Sequence, residues 1–405
     1  MEAPLIEVPD GTVTTPTGFL AGATDANIRG NAPGRLDLGL LYSEQPCAAA
    51  AVYTTNKLPG ASLVSTRQRL ADGRAQALIA NSGCANALNG DRGLVDAEEM
   101  ARLAAGKLGC AAVAVAVAST GVTGTFMPMD RVRRAIEHIN VTEDGGDAFA
   151  HAIMTTDTVA KQCAVRFEHG GRVYAAGGCA KGSGMIDVNM RTMLGFLTTD
   201  APVGPAALQT LLRDVADVSF NMLTVDGDTS PDDTVLLLAN GAAGGDTIDA
   251  GHPALPLLRA AVERVAVTLT RKLARDGEGA TKLIEVRVDG AASSEDARRA
   301  AKAVARSALV KTAVYGNDPN WGRILVAVGY SGCSVEEQKI ALSIQEVDVV
   351  RNGAPLAFDE AAVSAALNHP EVRFRIELGL GDASATAWGC DMTPEYVRIN
   401  AEYTT

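Results

Sequence analysis

Short apolar or alternating stretches recur along the chain, separated by turns rich in glycine, asparagine and aspartate. They predict strands at 77–80, 113–118, 163–167, 172–176 and 234–238. The third and fourth are joined across Glu168-His169-Gly170-Gly171, which reads as a hairpin turn. Helical patterns lie between them. Residues 97–108 place acids first and a lysine last, as the helix dipole favours. Asp130 reads as the cap of a helix over 131–139, residues 147–154 read as a further helix, and Pro205 opens 206–215 at a tolerated first-turn position. A long helix over 254–274 stops at Asp276-Gly277.

The pattern then changes. Strands are expected at 282–288, 324–328, 340–344, 347–351, 372–378 and 385–388, with helices at 294–307 and 360–367. The break at 276–281 divides the chain into an expected catalytic part, 1–280, and a smaller C-terminal α/β domain, 281–405. The fold class is α/β, with layered sheets covered by helices.

With 47% hydrophobic but only 4% aromatic residues, the core of this 405-residue chain must be built from Ala, Val, Leu and Ile. A formal charge of −12 repels phosphate backbones and anionic lipid, which argues against nucleic-acid and membrane-surface partners. The seven cysteines contain no C-x-x-C pair and point to a reducing compartment. Met1-Glu2-Ala3-Pro4 lacks a basic stretch leading into an apolar one, and the apolar run 111–118 falls short of the ~20 residues of a membrane helix. A cytoplasmic protein is expected.

Several motifs fail on their chemistry. In Gly178-Cys179-Ala180-Lys181-Gly182-Ser183 the lysine precedes the glycine, the reverse of a nucleotide loop. Asp226-Gly227-Asp228-Thr229-Ser230-Pro231-Asp232 begins like a calcium loop. However, Pro231 stands at the sharp-turn glycine and Leu237 at the bidentate glutamate, so a solvated turn is expected. The five histidines show no metal-ligand spacing. What remains are hydroxyl-rich turns after strands, each of which alone is an ordinary turn or cap.

Their order along the chain is more telling. Asn81-Ser82-Gly83, Ser119-Thr120-Gly121, Met154-Thr155-Thr156-Asp157, Ala180-Lys181-Gly182-Ser183-Gly184-Met185-Ile186 and Thr192-Met193-Leu194 come first. Asp226-Gly227-Asp228-Thr229-Ser230, Asp276-Gly277-Glu278-Gly279-Ala280-Thr281-Lys282, Asp318-Pro319-Asn320-Trp321-Gly322-Arg323 and the ending 396–405 follow. In this series the chain resembles the ornithine acetyltransferase (glutamate N-acetyltransferase) family, whose fold is of the DmpA/ornithine acetyltransferase-like kind.

The resemblance implies self-cleavage between Arg191 and Thr192, freeing Thr192 as an N-terminal nucleophile. The chemistry is consistent, because a freed α-amine of pKa ~7.7–8.0 can take the hydroxyl proton that an amide nitrogen cannot. Acetyl would pass from N2-acetylornithine to Thr192, ornithine would leave, and L-glutamate would collect it in a ping-pong cycle. Thr120 and Gly121 would supply the oxyanion donors. Thr155, Lys181, Thr192, Glu278, Asn400 and Thr405 would contact substrate, Glu278 through the amino group. No metal or cofactor is required, acetyl-CoA stands open as a further donor, and an α2β2 heterotetramer of the two fragments is implied. Arg191 replaces the family's usual alanine, but attack uses the backbone carbonyl and tolerates it chemically. The residues leave three alternatives open: an amidohydrolase, a secondary-metabolism paralogue with another acyl-amino acid, and an unprocessed ligand-binding chain.

Overall fold

The computed structural model describes residues 5–187 and 193–402. A nine-stranded sheet contains β1 (Ile6–Val8), β2 (Phe19–Thr24), β3 (Leu38–Tyr53), β4 (Arg74–Asn81) and β5 (Val115–Ser119). It also contains β6 (Lys161–His169), β7 (Arg172–Lys181), β8 (Leu194–Thr199) and β9 (Thr234–Ala239). The order is β1-β6-β7-β8-β9-β3-β4-β5, with β2 beside β3. The expected hairpin forms between β6 and β7, where Gly170 and Gly171 both take positive φ (59° and 74°), as a tight primed turn needs.

Strand β3 links two wings. Its first part pairs with β2 and β4, its second with β9, and the register shifts between Tyr42 and Cys47. Alternation then sorts the side chains into layers. Leu78, Ala80, Ala116 and Ala118 of one wing share an apolar cluster with Phe196, Leu236 and Leu238 of the other. Their neighbours point outward. Ala77, Ile79, Val115 and Val117 pack with Met100 and Val132 on helices Gly90–Leu108 and Met129–Ile136. Leu197, Val235 and Leu237 pack with Leu211, Leu258 and Val265 on helices Pro205–Val218 and Leu255–Arg275. The result is helix, sheet, sheet, helix. Each leucine or phenylalanine so buried contributes about 1.5–3 kcal/mol against exposure.

A second sheet holds β10 (Leu283–Ala291), β11 (Ala341–Ile344), β12 (Val347–Arg351), β13 (Ala354–Pro355), β14 (Glu371–Glu377) and β15 (Ala383–Cys390). Its order is β13-β12-β11-β14-β10-β15, with β10 and β14 parallel. Its core residues Val286 and Trp388 belong to the same apolar cluster as Val265 and Leu269 of the long helix.

Three local expectations need correction. The stretch 324–328 is not a strand but part of helix Trp321–Gly329. Ile324, Ala327 and Val328 are buried at helical spacing while Val326 is 62% exposed. Asp130 does not cap its helix, which starts at Met129 after Pro128; its carboxylate pairs with Arg133 at 2.6 Å. The first residues of 113–118 form a 3-10 turn, Ala112–Ala114, and the strand begins at Val115. Among the described residues no helix is long and apolar enough to cross a membrane.

Candidate active site

The turn leaving β5 is held by buried polar groups. Ser119 donates to Asn81 Oδ1 at 2.7 Å, and its hydroxyl also meets Ser62 at 2.7 Å. Thr120 N–H donates to the Asn81 carbonyl at 3.0 Å, and Asn81 Nδ2 ties down the Cys84 carbonyl at 2.9 Å. Gly121 has φ +129°, and a Cβ there would lie 2.5 Å from the Gly83 carbonyl carbon, so only glycine fits. The Gly121 N–H has no acceptor among the described residues. Thus the first two hydroxyl-rich turns form one structure, with Asn81-Ser82-Gly83 supporting Ser119-Thr120-Gly121.

Lys181 closes β7 on the other wing and is buried. Its Nζ donates to Thr120 Oγ1 at 2.9 Å, joining the two wings of the sheet at one point. Burial pushes the Lys181 pKa down, while the Asp157 and Asp233 carboxylates push it back up. Asp232 and Asp233, just before β9, are themselves buried. Loss of solvation raises both well above the usual carboxylate range. Among the described residues Asp232 Oδ1 and Asp233 Oδ2 have no hydrogen-bond partner.

After Lys181 the chain is fastened at Gly182, Ser183, Met185 and Ile186. Gly182 N–H donates to Asp157 Oδ1 at 2.7 Å, and Thr155 N–H donates to Asp157 Oδ2 at 2.9 Å. Arg35 donates to the Thr155 carbonyl at 2.7 Å. The Ser183 hydroxyl meets Thr156 Oγ1 at 2.6 Å, and its carbonyl accepts from Glu278 N–H at 2.8 Å. Met185 and Ile186 N–H groups donate to Asp226 at 2.6 and 2.8 Å. The expected solvated turn at 226–232 is therefore wrong for Asp226, whose carboxyl is raised by burial and fixes this tract.

Glu278 is buried against Gly184, where a Cβ would lie 2.3 Å from Glu278 Oε2. Asn400, on the last helix, Pro394–Glu402, donates to that same Oε2 at 2.8 Å. Thr393 anchors the start of this helix by donating to the Gly279 carbonyl at 2.8 Å. A small cavity beside Gly121 is lined by Arg35, Ser82, Gly83, Val122 and Thr155.

Of the residues named from the sequence, Thr120, Gly121, Thr155, Lys181, Glu278 and Asn400 gather around residues 181–184, directly or through one bridging group. Arg191, Thr192 and Thr405 lie outside the described residues. Sequence reasoning passed over Asp157 and Asp226 as members of motif strings and missed Lys161 entirely. The spacing Asp157…Lys161, with a lysine opening an apolar strand, was the available signal. Cys84, beside Thr120, is no rival nucleophile, since burial raises its thiol.

The two sheet wings thus bring a threonine hydroxyl, a backbone N–H and a buried lysine to one cleft, a donor set that suits the tetrahedral intermediate of acyl transfer. The chain belongs to the ArgJ family, whose profile matches residues 20–405. It is similar to the arginine biosynthesis bifunctional protein ArgJ of Symbiobacterium thermophilum, with 52% identity over 98% of this chain and 99% of that one. The protein of the same name from Dehalococcoides mccartyi is 45% identical over the full length of both. The crystal structure of arginine biosynthesis bifunctional protein ArgJ from Bacillus halodurans is 44% identical, with a TM-score of 0.51. The match covers 52% of this chain and all of that one.

Proposed function

We propose that this protein is a glutamate N-acetyltransferase that moves acetyl from N2-acetylornithine to L-glutamate through acetyl-Thr192, after self-cleavage between Arg191 and Thr192. The observation that carries the reading is the Lys181–Thr120 contact beside the unengaged Gly121 N–H. An ammonium only donates, so Thr120 Oγ1 accepts from Lys181 and keeps its own O–H for an acceptor in the cleft. That hydroxyl and the Gly121 N–H are the two donors a tetrahedral oxyanion needs.

The remaining roles follow from the same cleft. The Thr192 hydroxyl attacks the Arg191 carbonyl, and water hydrolyses the resulting ester. The freed α-amine then serves as base for attack on N2-acetylornithine and returns its proton to the departing ornithine nitrogen. Glu278 meets the substrate amino group. Asn400 occupies its Oε2 and leaves Oε1 for that contact. Thr155 and Thr405 complete the substrate contacts. Residues 1–280 hold the catalytic cleft, and 281–405 form a smaller unit whose end returns to it. The fragments assemble as α2β2 in the cytoplasm, and acetyl-CoA is a candidate second donor. The solved relative supports the processing step, because its whole chain corresponds to about half of this one.

Intact-mass analysis tests the proposal. Active enzyme should show two chains, the second beginning at Thr192, and Thr192→Ala should stay whole and inactive. A fully active unbroken chain would overturn the mechanism. Acetate release that ignores added glutamate would replace the transferase by an amidohydrolase.

A further inference from the structure

Beneath the cleft lies a charge cluster that the acetyl-transfer mechanism does not use. Lys161 opens β6 and is completely buried. Its ammonium contacts Asp157 Oδ1 at 2.6 Å, Asp276 Oδ2 at 2.5 Å and the Val159 carbonyl at 3.3 Å. Both carboxylates are nearly or fully buried as well, with side-chain exposures of 0% and 8%. Two carboxylates around one buried cation cost more desolvation than stability alone requires, since apolar residues fill such space at least as well. The directions in which these carboxylates spend their other lone pairs are therefore informative.

Asp157 spends them on the cleft. One oxygen takes the Gly182 N–H, next to Lys181, and the other takes the Thr155 N–H. Asp276 holds Thr158 N–H at 3.0 Å and stands two residues before Glu278. One ammonium thus holds the 155–159 and 276–278 segments directly and residues 181–182 through Asp157, and each carries a residue that faces the cleft.

We propose that Asp157, clamped by Lys161, is a positioning residue that sets Thr155 and Lys181 in their working places for acetyl transfer. The inference rests on the reading that Thr155 and Lys181 serve the cleft. A displacement of roughly 1 Å in such groups costs about 100-fold in rate. The clamp also has an electrostatic arm. Lys181 faces the Asp157, Asp232 and Asp233 carboxylates and the Lys161 ammonium, and of these Asp157 supports its charge most. Without the Asp157 charge, Lys181 releases its proton at lower pH.

Asp157→Asn and the double variant Asp157→Asn/Lys161→Met test this in the full-length, processed protein. Asp157→Asn leaves Lys161 paired with Asp276, so it strands no charge and is the one expected to fold well, whereas the double variant leaves Asp276 without its cation. The expected result is wild-type processing and near-wild-type thermal unfolding for Asp157→Asn, with kcat/KM about 100-fold lower. The alkaline limb of the pH–rate profile should move to lower pH in both variants. An unchanged kcat/KM with an unmoved limb in folded Asp157→Asn overturns the proposal and leaves the cluster a structural plug. Lys181→Met and Thr155→Val run alongside as controls. If those leave turnover intact, it is the assignment of the cleft that fails, and the clamp falls with it.

Discussion

Two ionic clusters lie five residues apart at the end of helix Leu255–Arg275, and they have opposite characters. Arg271 meets Glu285, and Glu371 at 3.0 Å, with all three side chains 23–37% exposed. Asp276, which follows the helix, meets Lys161 at 2.5 Å where solvent is almost absent. The outer cluster staples β10 and β14 of the second sheet to the helix and can trade its contacts for water. The inner one cannot, and its spare lone pairs order backbone N–H groups at the cleft. Burial, not pair geometry, separates a fastening from a positioning device.

The largest expected effect breaks the inner cluster. Lys161→Met leaves Asp157 and Asp276 facing each other without a cation, which should cost about 3–5 kcal/mol, read from the urea unfolding midpoint. Adding Asp157→Asn should recover only the part due to repulsion between the two carboxylates, because Asp276 still lacks its cation. Next comes the contact at the mouth of the cleft. Thr120→Val keeps the shape but removes the donor, so kcat should fall by roughly 10²–10³, with a stability loss of about 1–3 kcal/mol because Lys181 also loses its acceptor.

The pH dependence of stability sharpens the contrast among the carboxylates. Burial raises Asp157, but the Lys161 and Lys181 charges outweigh it and hold its pKa below the usual value. Its stabilisation is complete above about pH 3.9 and disappears as pH falls through the lower folded value. Asp232 and Asp233 are displaced the other way, so their share is largest below about pH 3.9 and is lost as pH rises through their raised values. In thermal unfolding scanned across pH, Asp232→Asn should flatten the decline above the carboxylate range. Asp157→Asn should blunt the acid-side loss instead. The smallest effect belongs to the outer cluster: Arg271→Met should change stability by only about 0–1 kcal/mol and leave kcat alone. A drop as large as that of Lys161→Met would erase the distinction drawn here.

The legible parts of the fold were those where period and turn chemistry agreed. The β6–β7 hairpin, β9, the long helix and helix Glu360–Leu367 are examples. The sequence reading failed where an apolar run was ambiguous, as at 324–328, since five consecutive apolar residues fit a helix and a strand equally. It also missed β3, whose Gln45-Pro46 step and alanine-rich second half weaken every local strand signal. The cleft was legible only as an ordered set of motifs. Nothing in the chain order says that Lys181 touches Thr120, 61 positions away, because that contact is made by the fold of the sheet. Asp157 escaped notice partly for the same reason: Thr155 and Lys161 lie close by in sequence, but the Gly182 N–H that ties it to the cleft comes from a distant stretch.

Strands β7 and β8 flank residues 188–192 and form a continuous antiparallel ladder from Ala176 opposite Thr199 to Lys181 opposite Leu194. A break at the proposed bond would sever the covalent link between them without costing a rung. The two products would then share a woven core and resist exchange with other copies. They would run as one species under native conditions and come apart only when the whole sheet is dissolved. Separately produced halves should therefore reassemble poorly unless they are folded together.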